Sequence, residues 1–415
     1  MTKHSIASLL MLFSLPALAA EPARAAAPAA KAAPAAPAAA AAPAEPARPS
    51  VRDLARKLVV ESAGVKEGDL VLVTGTFEDR DLLEDLAVAI RRAGGNPLVL
   101  VDSDTMLRRF YSEVPEKYDA QAAAVRAKLA ETADVRIRID RGDAPDTQGE
   151  VPATRVATTM ESFEKVHAIE TKRGIRRVVL GNGLYPTEAN AKKFGMTLDQ
   201  LTRVFWDGIG VDNKKLLETG DKVRARLAKG KLLEITSRNG TSLKMKIEGR
   251  PVLFSDGIIS PEELRKGGAA TMVWLPAGEV YFVPVPGTAE GTLVIDRQLH
   301  SNQEIKGLTL KFAAGKLTSM TSKDDISGLK AEYEAAPMGR DVFALVDIGL
   351  NPNVKVPAGS RLLSYLPAGT TMIQIGGNGW AGGENNIFYN LQSFLSDATI
   401  KVDGKVLVES GALKP

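Results

Sequence analysis

The pattern of the sequence changes near residue 230, and no other feature limits the possible folds as much. Before that point short apolar runs alternate with amphipathic helical stretches. After it, strands and turns follow one another almost without interruption. In the first part Leu70 to Val73 is an all-apolar run, Asp79 to Ala93 carries Leu82, Leu83, Leu86, Ala89 and Ile90 on one helical face, and Pro97 to Val101 is apolar again. Strand, helix, strand with fully apolar strands predicts a buried parallel sheet. Further strands are expected at Val135 to Ile139 and Arg177 to Leu180, with helices around Ala120 to Ala130 and Arg155 to Glu170. Residues 51–230 therefore read as a doubly wound, mostly parallel α/β domain.

The second part opens on LLEITSRNGTSLKMKIEGR, Leu232 to Arg250, which alternates on both sides of Asn239-Gly240, a strong hairpin signal. Runs at Leu253 to Asp256, Val273 to Val283, Gly291 to Asp296, Leu308 to Phe312, Val342 to Ile348, Thr371 to Ile375 and Ile400 to Val402 continue the strand pattern. Residues 231–415 are expected to form a β-rich α+β domain.

The N-terminal segment belongs to neither domain. Lys3 and His4 precede an apolar run from Ile6 to Leu18, and Ala17-Leu18-Ala19 has the small residues of a cleavage site, so residues 1–19 read as a signal peptide. The run is too short for a stable membrane span. Residues 20–50 are almost entirely Ala and Pro, a composition that offers nothing large to bury, and form a disordered linker. Export to a periplasm or to the exterior follows as an expectation.

Composition excludes several chemistries. The chain has no cysteine, so disulfides, thiolate metal sites and a Cys nucleophile are absent. Its only histidines are His4, His167 and His300, the first in the signal segment. A net charge of +3, with acids and bases interspersed, gives no nucleic-acid footprint. The first strand exits into Gly75-Thr76-Phe77-Glu78-Asp79, acidic where a dinucleotide would need backbone donors. Gly377-Asn378-Gly379-Trp380-Ala381-Gly382 matches Gly-x-Gly-x-x-Gly by letter, but it lies among strands and reads as a mobile glycine turn. His167 falls on a helical stretch near Phe163, Val166 and Ile169, the setting of a packed helix residue.

One stretch stands out chemically. LPAGEVYFVPVPGTAEG, from Leu275 to Gly291, holds Glu279 between a turn and the alternating Val280, Tyr281, Phe282 and Val283. A carboxylate at a strand mouth is either a ligand or an edge charge. Together with VKEGDLVLVTG, LYPTEANAKKFGMTLDQL from Leu184, ITSRNGTSLKMKIEGR, DIGLNPN from Asp347, GTTMIQIGGN from Gly369 and the closing IKVDGKVLVESG, it resembles the metallo-aminopeptidases of the aminopeptidase T and aminopeptidase S type. The resemblance runs from about Val51 to the end of the chain.

That resemblance implies an α/β domain followed by a β-rich one, a homodimer, and two divalent metal ions of the zinc, cobalt or manganese class held mainly by the second domain. Paired cations polarise a scissile carbonyl and activate water, which requires several carboxylate and imidazole ligands in one place. The family's Gly-Glu-Val glutamate falls on Glu279. The next glutamate, six residues before Asn351, falls on Leu345, and the nearest carboxylate is Asp347. The histidine of Gly-Thr-x-His falls on Met372, and the final His-x-Asp pair falls on Phe388 and Asn390. Four of the five positions have lost their donors.

The expectation is therefore an exported aminopeptidase-family homologue without a working two-metal centre, binding no metal, that holds a peptide, another small molecule or a partner protein. Gln374, Trp380, Glu384, Tyr389 and Asn390 are the candidate pocket residues beside Glu279 and Asp347. The alternative is a divergent active aminopeptidase on rearranged metals. Metal-free acid/base hydrolysis through Glu279 and Asp347 is a narrower option, and an assembly subunit would show a Glu279 pocket filled by the protein's own side chains.

Overall fold

A computed structural model describes residues 50–142, 153–300, 303–387 and 389–415. The expected signal peptide and almost all of the expected Ala/Pro linker lie outside the described residues, as does Phe388.

The first sheet forms as the apolar periodicity predicts. Helix α1 (Val51–Arg56), capped by Ser50 and continued by a π-helical turn over Lys57–Ser62, leads to β1 (Leu70–Thr76). Then come α2 (Arg80–Arg92), β2 (Asn96–Asp102), α3 (Asp104–Glu113), α4 (Asp119–Thr132), β3 (Val135–Ile139), α5 (Ala153–Arg173) and β4 (Arg176–Leu180). Helices α6 (Glu188–Phe194), α7 (Leu198–Ile209) and α8 (Asn213–Lys229) complete this part. All pairings in the sheet are parallel. Val71, Val73, Ile137, Val178 and Leu180 are buried in one cluster with Leu82, Leu86 and Ile90 of α2.

The fifth strand of this sheet comes from beyond residue 230. The remaining strands are β5 (Leu232–Thr236), β6 (Ser242–Lys246), β7 (Val252–Ser255), β8 (Met272–Leu275), β9 (Glu279–Phe282), β10 (Glu290–His300), β11 (Gln303–Ala313) and β12 (Lys316–Thr321). They continue as β13 (Phe343–Gly349), β14 (Thr371–Gly376), β15 (Asn390–Leu395), β16 (Thr399–Val402), β17 (Lys405–Glu409) and β18 (Ala412–Leu413). Helices α9 (Pro261–Lys266) and α10 (Ser327–Ala335) interrupt them. The first sheet has the order β2-β1-β3-β4-β8. The other two are antiparallel: an eight-stranded sheet, β12-β11-β10-β6-β5-β16-β17-β18, and a five-stranded sheet, β15-β14-β13-β9-β7.

The apolar run from Val273 to Val283 is thus not one strand. It divides at the cis Leu275-Pro276 bond and Gly278 into β8, which joins the parallel sheet, and β9, which enters the five-stranded antiparallel sheet. Gly278 has φ +121°, and a Cβ there would lie 2.9 Å from Asn351 Cβ, so only glycine fits the crossing.

The five-stranded sheet has two unlike faces. Val280, Phe282, Val346, Ile348, Ile373, Ile375, Leu391 and Leu395 pack with the inner face of the eight-stranded sheet and with Val223 and Leu227 of α8. The opposite face carries Glu279, Tyr281, Leu345, Asp347, Met372, Gln374 and Phe394, and this is where the candidate site lies.

Candidate functional site

The turn that delivers Glu279 is fixed from two directions. Asn351, fully buried and part of DIGLNPN, donates from Nδ2 to the carbonyls of Ala277 at 2.6 Å and Gly208 at 3.1 Å. From the parallel sheet, β4 ends in Gly181-Asn182-Gly183. Gly181 has φ +135°, and a Cβ there would meet the Asp140 carbonyl oxygen at 1.9 Å. Asn182 itself has φ +47°, a left-handed conformation that non-glycine residues adopt at some cost. Its Nδ2 donates to the Pro276 carbonyl at 2.8 Å, its Oδ1 accepts from Tyr365 Oη, and its side chain also hydrogen-bonds Glu279.

Register then places the neighbours. Glu279 is opposite Ser255 of β7 and Gly349 of β13. One step along, Leu253, Tyr281, Asp347, Met372 and Phe394 form a continuous row across all five strands. Leu345, Gln374 and Gln392 form the next row, and Asn390 is opposite Gly376. Four of the five positions implied by the family resemblance, Glu279, Leu345, Met372 and Asn390, therefore share one sheet face. Asp347 joins Glu279 there on the adjacent strand.

The space above this face is filled. Tyr281, Trp274 and Trp380 pack ring against ring, with centroids 5.6 to 6.0 Å apart, and Tyr365 stacks on Phe394. Leu345 and Met372 are at most 1% exposed, Glu279 is 3% and Asp347 is 4%. Glu279 thus sits in a closed joint, where the sequence predicts a half-buried strand mouth beside an open pocket.

Electrostatics follow from that closure. Burial pushes the Glu279 carboxyl up to about 8, against the opposing hydrogen bond from Asn182. Asp347 is also pushed well up, first by burial and then by the adjacent Glu279 charge, with the Ile348 backbone opposing. Glu279 Oε2 and Asp347 Oδ1 are buried and have no hydrogen-bond partner among the described residues. Two carboxyls this close and this dry cannot both ionise cheaply.

The remaining candidates divide. Gln374 is on the site face, but its Nε2 donates to Gly377 O at 2.7 Å, while Oε1 accepts from Gln392 Nε2 at 3.1 Å. It ties β14 to β15 and to the glycine turn. Trp380 is half-buried and caps Tyr281. Its glycine turn is secured, since Asn378 Nδ2 donates to Ala344 O and Asn385 Nδ2 donates to the carbonyls of Gly339 and Gly376. Glu384 is exposed on that turn. Tyr389 alternates to the other face and packs in the core between the antiparallel sheets, 6.1 Å from Tyr333. As a pocket residue it is a correction: the strand period turns it away from Glu279.

Neither His167 nor His300 reaches the site. His167 is half-buried on α5, where Nδ1 accepts from Arg177 Nη1 at 3.0 Å; burial and then the Arg177 charge lower its pKa. His300 Nε2 is 2.8 Å from Glu332 on α10. Sequence reasoning missed Asn182 and Tyr365. The signal for the first was Gly-Asn-Gly directly after a strand; Tyr365 lies in an irregular segment with no local pattern.

The residues present do not fit a two-metal centre. Such a centre needs several hard donors around each ion at about 2.0 to 2.6 Å. This face offers two carboxyls among Leu345, Met372, Phe394 and aromatic rings. Among the described residues, no group of three or more His, Cys, Asp or Glu side chains could hold a metal ion.

The thermophilic metalloprotease (M29) family matches residues 48–335. The chain belongs to that family. The matched segment includes Glu279 and ends before β13, which leaves positions 345, 372, 388 and 390 outside it. No curated protein matches the chain by sequence. Among solved structures, wild-type AmpT from Thermus thermophilus superposes with a TM-score of 0.66 at 17% identity, covering 88% of this chain and 99% of that one. The 2,5-dihydroxypyridine dioxygenase from Pseudomonas putida KT2440 superposes with a TM-score of 0.57 at 15% identity, covering 88% and 98%. The fold of this M29 member is thus shared with a protein named for quite different chemistry.

Proposed function

We propose that this M29 protein is exported and has given up two-metal peptide hydrolysis, and that it acts by binding a partner or a peptide-like ligand at its surface. The observation that carries this reading is the row Leu253, Tyr281, Asp347, Met372, Phe394. It crosses the face where family ligands would converge, and apolar or aromatic side chains hold four of its five places. Metal ligands need water-facing room for a substrate carbonyl, whereas this row is capped by Trp274, Trp380 and Tyr365. Glu279 remains as the anchor of a joint between the parallel sheet and the five-stranded antiparallel sheet.

The rival reading is an active, divergent aminopeptidase. Its support is the pair of unpartnered oxygens, Glu279 Oε2 and Asp347 Oδ1, which retain the capacity to accept a cation. Hydrolysis of leucine p-nitroanilide with added zinc, cobalt or manganese separates the two. The expected rate is the uncatalysed one, unchanged in Glu279→Ala; turnover that Glu279→Ala abolishes would overturn the proposal. Export is checked by following the tagged full-length chain in a bacterial host, where retention of an unprocessed N-terminus in the cytoplasm would refute it.

A further inference from the structure

Side chains also converge at the far end of the parallel sheet. With the order β2-β1-β3-β4-β8, the chain leaves β1 for β2 on one side and returns to β3 on the other, so β1 and β3 flank the point where the winding reverses. Open α/β sheets bind ligands outside the carboxyl ends of their strands at such a point. Here that space is a cleft of about 430 Å³, an ordinary volume for a small-ligand site. The turn after β1 supplies Phe77, Glu78 and Asp79, while Tyr185 comes from the segment after β4 and Phe205 and Trp206 from α7. Strands β3 and β4 separate β1 from β8, the strand that leads to Glu279.

The walls of the cleft are fixed. Tyr185, Phe205 and Trp206 form a chain of edge-to-face rings, with centroids 5.6 and 5.5 Å apart. Val51 and Leu54 of α1 line the cleft as well, and Lys57, on the turn that continues α1, donates from Nζ to the Ile209 carbonyl of α7 at 3.0 Å. Phe77 is 64% exposed, apolar surface that an occupant of the cleft would cover. Arg80 and Asp81 beside it are exposed too, so the cleft is open to the surface and a chain can continue on either side of it.

Charge identifies the occupant. Arg80 pairs with Asp81 and Arg141 with Asp79, which leaves Glu78 as the lining carboxylate with no ion pair among the described residues. The same segment already shows what an aromatic ring beside a carboxylate selects. Arg141 holds its guanidinium carbon 5.8 Å from the centre of the Tyr185 ring and donates to Asp79 at 3.1 Å. A guanidinium suits both partners, because its plane stacks on rings and its fork matches a carboxylate. We propose that this cleft binds an arginine side chain of a peptide, with the guanidinium at Glu78 and Trp206 and the aliphatic stem against Phe77. The proposal rests on the reading that this protein works by binding a peptide-like ligand, and it gives that binding a place and a chemistry.

Calorimetric titration of the full chain with acetyl-Gly-Arg-Gly-amide, with its citrulline counterpart and with free arginine tests it. Citrulline keeps the shape of the side chain and removes its charge. The arginine peptide is expected to bind at least about tenfold more tightly than the citrulline peptide, and Glu78→Gln to abolish that difference. Phe77→Ala, at an exposed position, is expected to weaken the arginine peptide by about threefold or more. Equal affinity for the two peptides, no measurable binding of either, or a charge preference that survives Glu78→Gln would overturn the proposal. Free arginine bound as tightly as the peptide would overturn the peptide as its source. Turnover of leucine p-nitroanilide would overturn the reading beneath the proposal and leave these affinities as they are, so the two failures are distinguishable.

Discussion

Two buried acidic centres in this molecule are built in opposite ways. Asp79, at the start of α2, is 5% exposed and fully partnered. It accepts from the Thr76 N–H and hydroxyl at 2.9 Å, from Tyr185 Oη at 2.8 Å and from Arg141 at 3.1 Å. Glu279 and Asp347 are as deeply buried, yet each has an oxygen with no hydrogen-bond partner among the described residues. Physical chemistry explains the first arrangement as structure: a carboxylate that closes a capping box with Thr76 on the 3-10 turn before α2 and neutralises an arginine. The second centre has no structural justification of that kind. Uncompensated carboxyls in an apolar joint reduce stability.

The contrast can be attacked in order of effect. Asp79→Ala removes the partner of a largely buried Arg141 and of Tyr185, and is expected to destabilise the protein by about 3 kcal/mol. Urea denaturation measures it, and a loss below about 1 kcal/mol would place Asp79 among ordinary surface charges. Trp380→Ala opens the cap over the other centre. Lost packing is expected to cost about 2 kcal/mol, and less at pH 8 than at pH 5, because water admitted to Glu279 and Asp347 eases their ionisation.

The third effect is smaller and has the reverse sign. Since the folded-state pKa of Glu279 is about 8 against an ordinary 4.5, the folded protein holds protons that the unfolded chain releases. Wild-type stability is therefore expected to fall as pH rises from about 4.5 towards 8. Glu279→Gln should flatten that slope and be more stable than wild type at pH 8, by about 1 to 2 kcal/mol, with little difference at pH 5. Thermal melts across this range check it; a Glu279→Gln variant less stable than wild type at pH 8 would show that the charge is compensated after all.

Much of the architecture was legible because its signals are local. Apolar runs and helical periodicity located β1 to β4 and helices α2, α4 and α5, though not α3, and Asn239-Gly240 located the β5–β6 hairpin. The division of Val273 to Val283 was not legible: β8 belongs to the parallel sheet because β4, some ninety positions upstream, pairs with it. Strand β15 was missed for a related reason, since Asn390 and Gln392 face the site and break the apolar alternation. Glu279 was recognisable from its turn, and Leu345 and Met372 were legible from their residue types as side chains without a hard oxygen donor. What covers their face was not visible in sequence, because Trp274, Tyr365 and Trp380 come from three separate segments that converge only when the chain is folded. The same convergence turned an expected ligand pocket into packing.

The central claim is that the face bearing Glu279 and Asp347 no longer holds metal. It is tested most directly by metal analysis of the purified protein after equilibration with excess zinc, cobalt or manganese and removal of unbound ions. The account predicts trace metal only, equal in wild type and in Glu279→Gln. One or two equivalents per chain, lost in Glu279→Gln, would contradict it.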